Sequence, residues 1–312
     1  MKISLSIVIV NWNTFKLLDN CLNSIFSDNI KHSFEIIVVD NASTDNSVEM
    51  IKSKYPQVRL IENKENLGFS KANNQGFKIS IGKYIMFLNS DTIVKPGAID
   101  KIIEYMDSHS EVGVLGPKLL NADGTLQISA AKLPNLLNSI GDLIFGFFRN
   151  PFLRKFTSLY SSYDKSMQVG WVSGACLVAR REVVEKIGGW EENLFMYSED
   201  VVFGVKVNQL GYKVIFYPEA EIFHLRNQSS KSNPEWRILQ VYRSRAEFRK
   251  IYFRKGSYMC YLIFTNIVLI PRILFYFSKY LVRREKNFSI KRAKIYCKVI
   301  SMYIHYFREG LL

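Results

Sequence analysis

Four short stretches hold side chains suited to ionic or proton-transfer chemistry. Asn89-Ser90-Asp91 closes the apolar run Lys83–Leu88 and leads into a loop. A carboxylate there can hold Mg2+ or Mn2+ against a diphosphate, since these ions take few protein oxygens and fill their shells with phosphate oxygens and water. The competing reading is a cap for the helix that Pro96 opens at its first position. Asp40 ends the run Glu35–Asp40. It either accepts from a nucleotide base or ribose, or closes a local turn with Ser43 or Thr44. Glu199-Asp200 follows Phe195–Ser198 and starts a helix. One acid can act as general base while the other orients it, or both simply answer the helix dipole. His224 ends an apolar run and precedes Arg226 and Ser229-Ser230. It reads as a metal or phosphate ligand, or as a polar residue satisfied by its neighbours. His32, His109 and His305 have no comparable setting.

Holding such groups together requires a scaffold, and strand and helix patterns alternate from Ile3 to Leu115. Ile3–Val10 is β-branched and stops at Asn11-Trp12-Asn13-Thr14, where Asn13 or Thr14 caps a helix to about Phe26. Glu35–Asp40, Val58–Ile61, Lys83–Leu88 and Val112–Leu115 read as further strands, with a helix over Gly68–Ile81. Continuous apolar strands separated by helices predict an α/β fold whose parallel sheet is covered on both faces. Ligands gather at the carboxyl ends of such strands, and Asn11, Asp40 and Asp91 all fall there. Residues 121–168 are less regular, with a helix over Leu133–Phe148. A second ordered block follows: a strand over Gln168–Ala179, a helix over Arg181–Ile187, the turn Gly188-Gly189-Trp190, and strands over Gly211–Pro218 and Ala220–His224.

The 312 residues are 48% hydrophobic, 14% aromatic and 22% charged, which supplies a large core and excludes general disorder. The net charge of +14 is unevenly spread: residues 1–225 carry 23 basic and 24 acidic side chains, residues 226–312 carry 19 and 4. A neutral body with a cationic C-terminal arm follows, so nucleic acid is not an expected partner. Cys21, Cys176, Cys260 and Cys297 lie far apart without a CxxC pair. That excludes a disulfide scaffold or a cysteine zinc site and fits a reducing compartment. No glycine-rich turn follows the first strand, and Gly-x-Ser-x-Gly, P-loop and His-Glu-x-x-His motifs are absent. Ile3–Val10 is short for a secretory core and no small-residue cleavage site follows it, so the body is expected in the cytosol.

The tail has its own pattern. Tyr258–Ser278 is apolar except for Asn266, Pro271 and Arg272, with basic residues from Arg243 to Lys255 before it and from Arg283 to Lys298 after it. A spanning helix needs about 20 apolar residues. Cations on both flanks favour a segment in the membrane interface, or a shallow hairpin, over a single span. Tyr296, Ile300, Tyr303 and Phe307 form an apolar stripe apart from Lys291, Lys294 and Lys298, the pattern of a helix on an anionic surface. The alternative is a helix pair packed on the body.

Taken in order, several segments resemble the inverting family-2 glycosyltransferases, in particular their bacterial rhamnosyltransferase-like branch. They are Ser6–Asn13, Ile36–Asp45, Glu65–Asn74, Leu88–Thr92, Gly113–Pro117, Trp171–Cys176, Gly188–Trp190 and Ser198–Asp200. The resemblance implies a GT-A fold over 1–226, with a nucleotide-binding half over 1–117 and an acceptor-binding half over 118–226. Residues 227–312 then form a basic, amphipathic, membrane-associating helical extension. It implies that Asp40 binds the base or ribose, with Asn11, Asn41, Asn66, Gly68, Phe69, Asn89 and Ser90 around the nucleotide sugar. Asp91 and His224 take the metal positions, Asp200 the catalytic base, and Trp171, Gly174, Ala175 and Glu199 the sugar and acceptor pocket. Two positions depart from the family pattern: Val202 stands where an acid is common, and Leu225-Arg226 follows the late histidine. Arg226 is itself able to pair with a diphosphate.

The implied reaction is a Mg2+- or Mn2+-dependent, inverting transfer of a sugar, with rhamnose from dTDP-rhamnose as the leading donor. The acceptor is a hydroxyl of a polyprenyl-linked or other glycan in cell-surface polysaccharide synthesis. The enzyme would be cytoplasmic and peripheral to the inner face of the cell membrane. A UDP-hexose donor, a non-catalytic binding or scaffold subunit, and a nucleotidyltransferase are the alternatives.

Overall fold

The computed structural model describes residues 3–145, 156–194, 196–225, 234–281 and 286–311. They fall into two units, Met1–Leu133 with Ser162–Lys231 and Pro134–Ser161 with Ser232–Leu312.

In the first unit the expected strands become β1 (Leu5–Asn11), β2 (Phe34–Asp40), β3 (Arg59–Glu62) and β4 (Tyr84–Asn89). They pair in parallel in the order β3-β2-β1-β4, with Asn11 opposite Asp40 and Val10 opposite Asn89. The carboxyl ends of β1, β2 and β4 therefore share one rim. Ile7, Ile9, Val38, Met86 and Leu88 share a buried cluster with Leu18, Leu22 and Ile25 of α1 (Phe15–Phe26). The opposite sheet face is covered by α3 (Phe69–Ile79), which comes after α2 (Ser47–Lys54). A Cβ added at Gly76 of α3 would lie 2.4 Å from Val8 Cγ1, so the helix approaches β1 as closely as a glycine permits.

The fifth expected strand is longer, β6 (Val112–Leu120), and does not neighbour β4. Between them β11 (Cys176–Arg180) inserts antiparallel to both. The sheet continues through β12 (Lys213–His224), parallel to β6, and ends at β5 (Thr92–Val94), with β7 (Leu126–Gln127) on β6 and β9 (Met167–Val169) on β12. The single strand expected over Gln168–Ala179 is three pieces. After β9 the chain leaves β12, and β10 (Trp171–Val172) pairs with β8 (Ala130–Ala131) in a separate ladder. Gly170 permits the break, since a Cβ there would fall 2.1 Å from Leu133 N. Conversely, Gly211–Pro218 and Ala220–His224 merge into β12, with an irregularity between Tyr217 and Glu221 that takes up Pro218.

Helix starts also differ from the sequence pattern. Pro96 precedes the helix it was expected to open: α4 (Ala98–Ser108) begins after Gly97, at φ +74, whose N–H donates to Asp28 Oδ2 at 2.9 Å. Neither Asn13 nor Thr14 caps α1 with its side chain. The first N–H of α1, on Phe15, donates instead to Asp45 Oδ2 at 2.9 Å, and Asp45 Oδ1 accepts from Ser47 N–H at 3.1 Å. One carboxylate thus starts two helices. The remaining helices of this unit are α6 (Arg181–Ile187) and α7 (Glu199–Gln209).

The second unit joins α5 (Leu136–Phe145) to α8 (Pro234–Tyr252), α9 (Lys255–Leu281) and α10 (Lys286–Leu311). Leu143, Tyr242, Tyr258, Tyr261, Leu262, Leu269, Val299 and Tyr303 form its core. The stripe expected on an anionic surface is turned inward: Tyr296 and Tyr303 are buried, and Ile300 and Phe307 pack against the same core. Burying those rings between two helices removes their apolar area from water without any membrane.

Asp45→Ala is expected to cost about 1 kcal/mol or more, because two helix starts lose their acceptor. Urea unfolding followed by far-UV circular dichroism checks it.

Candidate functional site

Asn11 organises the rim. Its Nδ2 donates to Asp40 Oδ1 at 2.8 Å and to Ser43 Oγ at 3.1 Å, and its Oδ1 accepts from Thr14 Oγ1 at 2.6 Å. Thr14 Oγ1 lies 2.9 Å from Ser90 Oγ. The ends of β2, β1 and β4 are therefore one polar chain, Asp40–Asn11–Thr14–Ser90. Asp40 is 2% exposed and also accepts from Ser43 N–H at 2.8 Å and Ser43 Oγ at 2.6 Å. The local turn considered for Asp40 is thus formed. Ser43 is brought here by the local turn after β2, whereas Thr14 reaches Ser90, 76 residues away, only because β1 and β4 pair.

A second group sits beside the first. Asn41 N–H donates to Asn11 O at 2.8 Å and Asn41 Nδ2 to Gly68 O at 3.2 Å. Asn66 Oδ1 accepts from Gly68 N–H at 2.9 Å, fixing the turn in which Gly68 holds φ +81 ahead of α3. Phe69 stands edge-on to Trp190 with ring centres 5.1 Å apart, and both rings close on Gly174, where a Cβ would meet each at 3.2 Å. Asn66 and Ser70 also line a cavity of about 320 Å³ with Lys71 and Glu192.

Asp91 does not cap α4. Its Oδ1 lies 3.2 Å from His224 Nε2, with both side chains largely buried. The imidazole is oriented by Gln127, whose Oε1 stands 2.6 Å from His224 Nδ1. Gln127 Nε2 donates to Asn121 Oδ1 at 2.9 Å and His224 O at 3.1 Å, which turns its carbonyl to the ring and leaves Nδ1 as the N–H. Nε2 then faces Asp91. Among the described residues no group of three His, Cys, Asp or Glu side chains is poised for a metal. Two ligands and an orienting amide fit an ion such as Mg2+ or Mn2+ that takes its other oxygens from substrate and water, and do not fit a closed zinc site. Gln127 has no local motif; the β6–β7 hairpin alone carries it to a histidine 97 residues away. Arg226 and Ser229-Ser230 lie outside the described residues.

The acid pair at the start of α7 reaches the same region through the backbone. Asn89 N–H donates to Ala175 O at 3.0 Å, and the backbone amide of the neighbouring Gly174 favours the ionised Asp200 carboxylate. Val201 N–H donates to Asp200 Oδ1 at 2.9 Å. Burial pushes the Asp200 carboxyl up to about 6 in spite of these donors. Glu199 is raised further, by burial and then by the Asp200 charge, and its Oε2 is buried without a partner among the described residues. Tyr197 and Ser198 lead into the helix at φ +70 and +67, backbone that side-chain-bearing residues seldom adopt. Trp171 packs on the same helix, since a Cβ at Gly204 would fall 2.6 Å from its Cβ. Val202, at the position where an acid was anticipated, is wholly buried.

The model of glycosyl transferase family 2 matches residues 6–188. The chain is 30% identical over 215 residues to an N-acetylglucosaminyl-diphospho-decaprenol L-rhamnosyltransferase of Mycobacterium tuberculosis, covering 64% of this chain and 69% of that enzyme. It is 24% identical over 263 residues to the amylovoran biosynthesis glycosyltransferase AmsE of Erwinia amylovora, covering 81% and 89%. In fold it is similar to the mannosyltransferase PcManGT from Pyrobaculum calidifontis in complex with GDP-Man and Mn2+. That likeness has a TM-score of 0.60 and 14% identity, over 97% of this chain and 87% of the other.

A carboxyl whose folded pKa is raised binds its proton more tightly folded than unfolded, so its burial costs stability once pH exceeds that pKa. Asp200→Asn is therefore expected to stabilise the protein on the order of 1–2 kcal/mol at pH 8, with the gain vanishing by pH 4. Thermal melts of both proteins across that range check it.

Proposed function

Since the chain belongs to glycosyl transferase family 2 and is a glycosyltransferase of GT-A fold, we propose that it transfers rhamnose from dTDP-rhamnose to a hydroxyl of a polyprenyl-linked glycan, with inversion. The donor sugar and the lipid-linked acceptor are carried over from the mycobacterial relative's activity. A cytoplasmic enzyme held at the inner membrane face suits that acceptor, and the cationic helical arm supports it. The observation that carries this reading is the pairing of Asp91 Oδ1 with His224 Nε2 at 3.2 Å, the imidazole oriented by Gln127, just past the polar rim that Asn11 organises.

Asn11, Asp40, Asn41, Asn66, Gly68 and Phe69 would line the nucleotide, and Asn89 and Ser90 its diphosphate end. Asp91 and His224 would hold Mg2+ or Mn2+, which when bound neutralises charge on the nucleoside-diphosphate leaving group. Gln127 keeps the His224 ring turned toward Asp91. Asp200 takes the proton of the acceptor hydroxyl as that oxygen attacks the anomeric carbon from the face opposite the diphosphate. A carboxyl raised toward neutrality is a stronger proton acceptor than an ordinary aspartate and is still ionised at pH 7. Trp171, Gly174, Ala175 and Glu199 would bound the sugar and acceptor.

Calorimetric titration with dTDP, UDP, GDP and ADP, with and without Mn2+, is expected to show metal-dependent binding of dTDP. Binding of UDP instead replaces the donor, and failure of all four with folded protein removes the transferase site. Asp200→Asn is expected to lower kcat by about 100-fold or more while leaving nucleotide Kd within a fewfold. The acid limb of kcat should fall near pH 6. Gln127→Leu is expected to weaken Mn2+ binding by about tenfold or more, read by electron paramagnetic resonance.

A further inference from the structure

The helix α9 is arranged inside out for a protein bathed in water. Tyr258, Tyr261, Leu262, Thr265 and Leu269 are buried on its inner face. On the opposite face Ile263, Ile267, Ile270, Leu274, Phe277 and Leu281 recur every three to four residues and are all exposed, Ile267 at 54% and Leu274 at 61%. Between Gly256 and Ser278 the sequence has one charge, Arg272. That guanidinium points inward, donating to Leu143 O at 2.6 Å. The charge is inside and the hydrocarbon outside, the reverse of a soluble amphipathic helix.

The rest of the unit defines what covers this face. Arg254 and Lys255 at one end of α9 and Lys279 near the other are exposed, as are Lys291, Lys294 and Lys298 on α10. An apolar stripe bounded by cations is complementary to a leaflet with anionic headgroups. A spanning arrangement conflicts with the packing. Tyr276 of α9 meets Phe288 of α10 at 6.3 Å between rings, and a Cβ at Gly310 would lie 2.9 Å from Met259 Sδ, so the two helices run side by side over most of their length. Were α9 to cross the bilayer, α10 would carry Lys291, Arg292, Lys294 and Lys298 into hydrocarbon with it.

We propose that α9 lies in the plane of an anionic membrane and inserts its Ile263–Leu281 stripe into one leaflet, with α10 packed along it. This rests on the reading of the chain as a membrane-surface transferase and specifies the face and depth of the contact. The test is flotation of the full chain with vesicles of phosphatidylglycerol and phosphatidylcholine, compared with phosphatidylcholine alone. Wild type should float with the anionic vesicles. Ile267→Glu combined with Leu274→Glu should reduce that by about tenfold or more, with unchanged circular dichroism and unchanged nucleotide binding. A nitroxide at Ile263→Cys, Ile270→Cys or Phe277→Cys, with the exposed Cys260 and Cys297 replaced by serine, should report one shallow depth at all three positions. A depth that passes through the bilayer centre overturns the proposal in favour of a span. Flotation indifferent to the paired glutamates overturns it as well. So does a lipid-free dimer that the paired glutamates dissolve and that does not float. Because flotation and depth are read without turnover, they fail independently of the transferase reading.

Discussion

The side chain of Asn11 is the point on which the site depends. A carboxamide offers a donor and an acceptor at once, and here the donor reaches Asp40 and Ser43 while the acceptor takes Thr14, which reaches Ser90. Three parallel strands would otherwise end in three separate loops. Joined in this way, and buried so that each bond is shielded from water, they form a rigid edge. A leucine at position 11 would leave the Asp40 and Thr14 groups buried with fewer partners, and an aspartate would oppose Asp40.

Beyond that edge, the start of α7 combines two destabilising features. Glu199 is buried and Asp200 partly buried at the start of α7, Glu199 with an oxygen that has no partner among the described residues, and the turn before them holds two left-handed residues. The same desolvation that weakens the fold raises the proton affinity of Asp200. Local strain and raised proton affinity coincide at one helix start, the combination that the proposed role of Asp200 as base would use.

The helical unit poses a different problem: distributing a large apolar surface between a core and a face. Its tyrosine-rich cluster takes the inward stripe of α10 and the inner side of α9. Arg272 is drawn inside by a carbonyl, and what remains outward on α9 is aliphatic and aromatic.

Much of the parallel half was legible beforehand. Continuous apolar runs ending in Asn11, Asp40 and Asn89 read as buried strands with polar ends, and their alternation with helices in a parallel sheet puts those ends on one rim. The ordered motifs were likewise enough to identify the family, because each is short, local and set by residue type. Whatever depended on distant partners was not legible. The Gln168–Ala179 run reads as one strand until Leu133 is found against Gly170, and α1 is capped by Asp45 across a loop. The α10 stripe looks lipid-facing until α9 covers it. Gln127 beside His224 and the buried Glu199 have the same origin. Residue type and period determine which segments become strands or helices and which side of each is apolar. Which partner meets that side, and hence which polar groups are oriented, desolvated or left outward, is decided only when segments remote in sequence pack together.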